Sequence, residues 1–393
     1  MERKESHRPG ESDSAAAACI DSVKNDTSFN LKLTHNGYGH QLMDNEEPIV
    51  WHEPILDEYW DQLEAKIDRK KQQEIVTCND IQIMNIEMEK ERLAALVAIF
   101  CHGRANNFNS SSFVKFDNAN LCGEGIILLS ELVDVSSELQ TFCIHHNRID
   151  NMDSARCLSR SLKSHSCVSH LDLFHCDLGR SPEILLVILQ SDVKNIYLHN
   201  NNIDSLGAVK IAEYLESNPP IYRIDLDHNR LNDDDAILIS HALKRNTHLS
   251  EINLHSNNFT SIGVKVLLTC VFDGSSLNAI SESNHTLGSL IIFHEERNKN
   301  LQRCIDNLLL MDRTEILVYA LQDKDSLLKY LANVPVELIP EVLAFPHGRI
   351  VNEYQHKHLN IVYCTMRWWN MPCCTPIIIV SSLIQRGKER WSN

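Results

Sequence analysis

Positive charge is scarce in this chain. Lys and Arg number 37 against 53 Asp and Glu, giving a formal net charge of -16. That balance excludes nucleic-acid binding through a broad basic surface. It favours solubility and partners of basic character. Long apolar runs are missing as well. The longest late run, Pro376 to Ile384, falls well short of the roughly 20 residues a bilayer span needs, so no membrane role is expected. The N-terminus, MERKESHRPGESDSAAAAC, lacks the apolar core of a secretory signal. A cytoplasmic protein, with the nucleus as the other compartment, is therefore expected. Its thirteen cysteines have no C-x2-C spacing, which argues for reduced thiols and against a disulfide framework or zinc motif. The glycosylation-type tripeptides at Asn25, Asn109, Asn258 and Asn284 then read as chance matches. GxxxxGK[ST], HExxH, GxSxG and GxGxxG are all absent. No enzyme activity, cofactor or metal is assigned.

What is present is globular: 43% hydrophobic and 23% charged residues. Residues 1–50 are polar, with little periodicity, and read as disordered. Residues 51–110 read as a helical and stranded N-terminal cap. Pro54 opens a helix whose stripe is Ile55, Leu56, Tyr59, Trp60, Leu63 and Ile67. DIQIMNIEM (80–88) alternates as a strand does, and EKERLAALVAIF (89–100) has a helical face.

From residue 111 one string recurs, with apolar residues at positions 1, 4, 6 and 11 and Asn or Cys at position 9. The clear copies are LQTFCIHHNRI from Leu139, VSHLDLFHCDL from Val168, VKNIYLHNNNI from Val193, IYRIDLDHNRL from Ile221 and LSEINLHSNNF from Leu249. A weaker copy, SSFVKFDNANL, begins at Ser111, and a decayed one, LNAISESNHTL, at Leu277. Successive starts are 28, 29, 25, 28, 28 and 28 residues apart, a spacing that signals a solenoid. The second half of each unit carries a helical face. Ala236, Ile239, Ser240 and Leu243 recur as Ala208, Ile211, Ala212 and Leu215, as Val264, Leu267, Leu268 and Val271, and one place later as Ala155, Leu158, Ser159 and Leu162. Each unit thus reads strand, loop, helix, loop.

These strings resemble the leucine-rich repeat family, in the long-repeat subclass typified by ribonuclease inhibitor. The resemblance covers about residues 111–290, some seven units. It implies an α/β solenoid with a curved parallel sheet inside, helices outside, and helical N- and C-terminal caps. Residues 291–393 are expected to form a mainly helical C-terminal extension. That stretch holds His356, His358, Cys364, Cys373 and Cys374, whose spacing does not suit zinc, and Trp368 and Trp369, which suit packing of a cap.

Within such a sheet, positions 5, 7 and 8 project from the concave side, and equal positions form columns. The expected binding face is Asp172, Phe174, Tyr197, His199, Asp225, Asp227, His228, Asn253 and His255. Aromatic anchors ringed by polar groups suit a protein partner. Protonation of the histidines should weaken a basic partner below about pH 6. His146 and His175 share a column near His145 and Asp172, a possible ligand set for zinc or copper that reads better as solvated imidazoles. Cys143 reads as exposed on the inner face, without a neighbour that would make it a nucleophile. NDDDA (232–236) reads as the acidic start of a helix, and DRKKQQ (68–73) as a solvated helix end.

The expected function is a non-catalytic scaffold that grips a protein on the concave face. The alternative is regulation of a small GTPase, since Ran GTPase-activating protein is built of similar repeats. This chain ends RGKERWSN where that family carries an acidic tail, and no catalytic arginine can be matched.

Overall fold

The computed structural model describes residues 16–20, 28–35, 77–104, 112–273 and 283–293, with five further positions between 302 and 309. The helix expected from Pro54, the C-terminal extension and most of residues 1–50 lie outside these. Among the described residues are ten strands: β1 (Ala16–Ile20), β2 (Ser28–His35), β3 (Thr77–Met84), β4 (Phe113–Asp117), β5 (Thr141–His145), β6 (His170–Asp172), β7 (Asn195–Tyr197), β8 (Arg223–Asp225), β9 (Glu251–Asn253) and β10 (Ser289–Ile291). Seven α-helices alternate with the strands from β3 onward: α1 (Lys90–Arg104), α2 (Gly123–Val135), α3 (Met152–Ser164), α4 (Pro182–Leu189), α5 (Ser205–Glu216), α6 (Asp233–Arg245) and α7 (Ser261–Val271). This α/β alternation fits a repeat solenoid of leucine-rich-repeat type. None of the described helices is long and apolar enough to cross a membrane.

The described residues fall into two compact units, one from Met1–Asn232 with Asn253–Asn258, the other from Asp233–Ile252 with Phe259–Asn393. In the first, strand order equals sequence order from β1 to β8. β1 is antiparallel to β2, and each later strand is parallel to the one before. β1 and β2 fall within the segment read as disordered. SFNLKLTH alternates Phe29, Leu31 and Leu33, a strand pattern too short to stand out beside polar flanks.

The register puts like positions side by side: Val114 pairs with Phe142, Phe142 with Leu171, Leu171 with Ile196 and Ile196 with Ile224. All five are fully buried, as are Ile221, Leu226 and Leu231 of the Ile221 unit. Each such side chain contributes about 1.5–3 kcal/mol by leaving water. The helical stripes are buried as expected in α3 and α5. α4 is shorter, matching the 25-residue unit, and opens with Pro182 in its first turn. Asn151 and Asp204 cap α3 and α5 through their side chains.

β3 and α1 make a further repeat that departs from the recurring string. Ile81 and Ile83 pair with Val114 and Phe116, so this unit begins at Cys78. Its Met88 is buried at position 11, and Leu93, Leu96 and Val97 hold the helical offsets. Ile86 stands where Asn is expected, which hides the unit.

In the second unit, α6 buries Ala236, Ile239, Ser240 and Leu243, and α7 buries Val264, Leu267 and Val271. Asp233 does more than favour its own helix. Its carboxylate accepts from the Thr260 hydroxyl, from the Thr260 N–H at 2.8 Å and from the Gly263 N–H at 3.0 Å, pinning the start of α7. These bonds, those of Thr260 first, hold its carboxyl below the usual range. Most of the seventh copy expected from Leu277 lies outside the described residues, and the described strand next to β9 comes later. Gly288 and Ser289 donate to the Ser250 carbonyl at 2.8 and 2.9 Å. Tyr222 and Arg223 of the Ile221 unit donate to Lys194 in the same way. The strand is therefore β10, in a unit starting at Leu287, 38 residues after Leu249. Leu287, Leu290 and Ile292 are its buried apolar positions.

Candidate functional site on the strand face

The asparagine at position 9 organises the loop that follows each strand. Asn229 is buried, and its Oδ1 accepts from the N–H groups of Asn201 (3.1 Å) and Ile203 (3.0 Å) in the preceding unit. Its Nδ2 donates to the carbonyls of Leu198, Leu226 and Asp227 at 3.0–3.2 Å. Asn147 and Asn201 repeat this pattern. Cys176 substitutes chemically as well as positionally. Its thiol reaches the Ile144 carbonyl at 3.0 Å and the Phe174 carbonyl at 3.5 Å, and burial pushes its pKa far up.

Position 8 does not obey simple strand alternation. Asn85, Asn118, His146, His175, Asn200, His228 and Ser256 all have φ between 50° and 59°. This left-handed region is sparsely used by residues other than glycine, with Asn and His among those tolerated best. The N–H of this residue then reaches the position-7 carbonyl of the next unit: Asn118 to His145, His146 to Phe174, His175 to His199, Asn200 to Asp227. The histidines at position 8 therefore answer to a backbone requirement. The His146/His175 column gathers no ligand set, since His146 Nδ1 is held 2.8 Å from Asp117 Oδ1.

Positions 5 and 7 form true columns. Lys115 pairs with Cys143, Cys143 with Asp172, Asp172 with Tyr197 and Tyr197 with Asp225. Phe174 and His199 stack at 4.6 Å between ring centroids, and the rings of His146 and His145 meet the Phe174 ring edge-on at 4.8 and 5.6 Å. Tyr197 lies against His170 at 6.4 Å, with the Arg223 guanidinium 5.2 Å from its centroid. Phe174, Tyr197 and His199 are half-buried, so each keeps accessible surface.

The carboxylates are engaged by their own neighbours. Asp225 and Asn253 are buried, joined by a 3.0 Å bond from Asn253 Nδ2 to Asp225 Oδ2. These two expected contact residues are thus structural. Asp227 Oδ1 is shared by His228 Nδ1 at 2.9 Å and His255 Nδ1 at 3.0 Å. His228 is exposed, whereas Asp227 and His255 are half-buried.

A second cluster includes Asp117 and His145, position-7 residues that are not among the nine expected contacts. His145 Nε2 lies 3.0 Å from Asp172 Oδ2, and its Nδ1 is 3.7 Å from Asp117 Oδ2. Asp117 also meets Lys115 Nζ at 3.0 Å. Burial works against a charged His145, but Asp117, Asp172 and Cys143 outweigh it and raise the imidazole to about 10. Asp117 is likewise opposed by burial, yet His145, His146 and Lys115 hold its carboxyl far below the usual range. Burial lowers His199, whose Nδ1 is 4.0 Å from Asp172. Cys143 is buried in this group and is not the exposed thiol expected. Asp117 and His145 both stand in the position-7 column, two units and one unit before Phe174.

No protein-family model and no curated protein matches this chain. Among solved structures, one similar chain is the actin-binding site 2 of leiomodin-1, at 17% identity and a TM-score of 0.28, covering 49% of this chain and 89% of that one. So low a score carries no argument.

Proposed function

We propose that this chain is a leucine-rich-repeat protein of the ribonuclease-inhibitor-like subclass, and that it acts as a non-catalytic scaffold taking a protein partner on its strand face. The observation that carries this reading is the aromatic patch. Phe174 and Tyr197 stand in adjacent units, half-exposed and each fixed by stacked neighbours. Rings already ordered lose little freedom on contact, which is what makes aromatic anchors effective. Asp172 and Asp227 flank the patch and remain half-exposed, so a partner with apolar and basic side chains fits best. The ordered asparagine ladder beneath supplies a rigid base.

The test compares wild type with Phe174→Ala/Tyr197→Ala as baits in native lysate, followed by affinity measurement on the purified partner. Loss of one protein from the double variant, with at least about a tenfold weaker Kd (1.4 kcal/mol), supports the reading. Identical catches overturn it. Leu206→Ser, an exposed substitution on α5, serves as the control and should bind as wild type does.

A further inference from the structure

Two groups of potential metal donors occur among the described residues: Cys143, His145 and Asp172, and Asp227, His228 and His255. In each, the donor atoms lie within 4.8 Å of one another. Their chemistry differs. In the second group a single oxygen, Asp227 Oδ1, already receives both Nδ1 atoms. No thiol donor is present there.

The first group is built differently. Cys143 and Asp172 are register partners on β5 and β6, and His145 is two residues along β5 on the same face. The Asp117 carboxylate sits on the Nδ1 side of His145 and directs Nε2 toward Cys143 and Asp172. A carboxylate behind a histidine is the usual support for a metal-binding imidazole. Two donor atoms are buried without an aligned hydrogen bond, His145 Nε2 and Asp172 Oδ1, although the first is 3.0 Å from Asp172 Oδ2 and the second 4.0 Å from His199 Nδ1. Buried polar atoms without partners are uncommon and call for a cause.

We propose that Cys143 Sγ, His145 Nε2 and the Asp172 carboxylate bind a borderline-soft divalent cation of the zinc class. Zinc takes thiolate, imidazole and carboxylate at about 2.0–2.3 Å in tetrahedral geometry, which sets such donors roughly 3.3–3.8 Å apart. The three need only small side-chain movements to reach that spacing. Hard cations such as magnesium prefer all-oxygen octahedral sites and fit poorly. Three protein ligands leave the fourth position to water or an incoming donor. Because the three donors belong to the chain itself, the site does not depend on the partner-binding reading.

The test uses the full chain, stripped by chelator and titrated with Co2+ and with Zn2+. Wild type should show a saturable thiolate-to-cobalt charge-transfer band, displaced by zinc, and zinc should raise its Tm. Cys143→Ser should lose the band and the zinc-induced rise. Asp172→Asn should weaken zinc binding by about tenfold or more, and Asp117→Asn by about tenfold through loss of orientation. Cys167→Ser, altering an exposed thiol elsewhere, should behave as wild type. Should Cys143→Ser fail to fold, by circular dichroism, the two Asp variants decide. Absence of a band in wild type, a band unchanged by Cys143→Ser, or undiminished affinity in Asp172→Asn would overturn the site.

Discussion

Replacing Asn229 by alanine tests the ladder that makes these units repeat. The substitution removes both bonds to the N–H groups of Asn201 and Ile203 and the bond to the Leu198 carbonyl. The carbonyls of Leu226 and Asp227 keep other donors, Asn257 Nδ2 and the Asn200 N–H. Three buried backbone groups lose a partner at about 1–3 kcal/mol each, or about 3–9 kcal/mol together where no water replaces the amide. That compares with the whole stability of an ordinary domain, about 5–15 kcal/mol. Urea denaturation should show a large fall in midpoint, and hydrogen exchange at Asn201 and Ile203 should accelerate most. Asn229→Cys sharpens the test, because Cys176 holds the same position one unit from Asn201. There the thiol reaches two carbonyls, and the Ile149 N–H turns to the Cys176 carbonyl instead. The expected order of stability is wild type, then cysteine, then alanine. An alanine variant within about 0.5 kcal/mol of wild type, the range of an unimportant surface change, would refute the reasoning. So would a cysteine variant less stable than alanine.

Further outcomes follow from other positions. His175 has φ 54°, so His175→Asn should leave stability nearly unchanged, whereas His175→Val should cost about 1–2 kcal/mol in urea titrations. A Cβ at Gly179 would press into the Asn202 carbonyl, so Gly179→Ala should lower stability by about 1–3 kcal/mol, read as a shift in Tm. Burial pushes the Cys270 thiol up to about 12, so almost none is thiolate at neutral pH. Alkylation followed by mass spectrometry should mark Cys122 and Cys167 in the native chain, and Cys176 and Cys270 only after unfolding.

What the sequence could reveal here divides along a physical line. Burial writes itself into periodicity, so Ile224, Leu226 and the stripe from Ala236 to Leu243 announce strand and helix without coordinates. The asparagine at position 9 is legible too, since a buried amide among apolar neighbours needs a job. Conformation leaves a fainter mark. Alternation cannot report the sign of φ, so His146, His175 and His228 look like side chains chosen for a partner. They are among the residue types that tolerate the left-handed turn ending each strand. Insertions defeat spacing altogether: a fixed period puts the seventh unit at Leu277, whereas the strand hydrogen bonds to Ser250 come from Gly288 and Ser289. Charge pairing is hidden for a third reason. Whether Asp225 faces a partner or is buried beneath Asn253 depends on the reach of the next unit's side chain, which no column of letters records. The columns set His145 near Asp172, yet the same limit hides how Asp117 and Cys143 join them. Each looks ordinary in its own string, and only the parallel register of β4, β5 and β6 brings their donor atoms together.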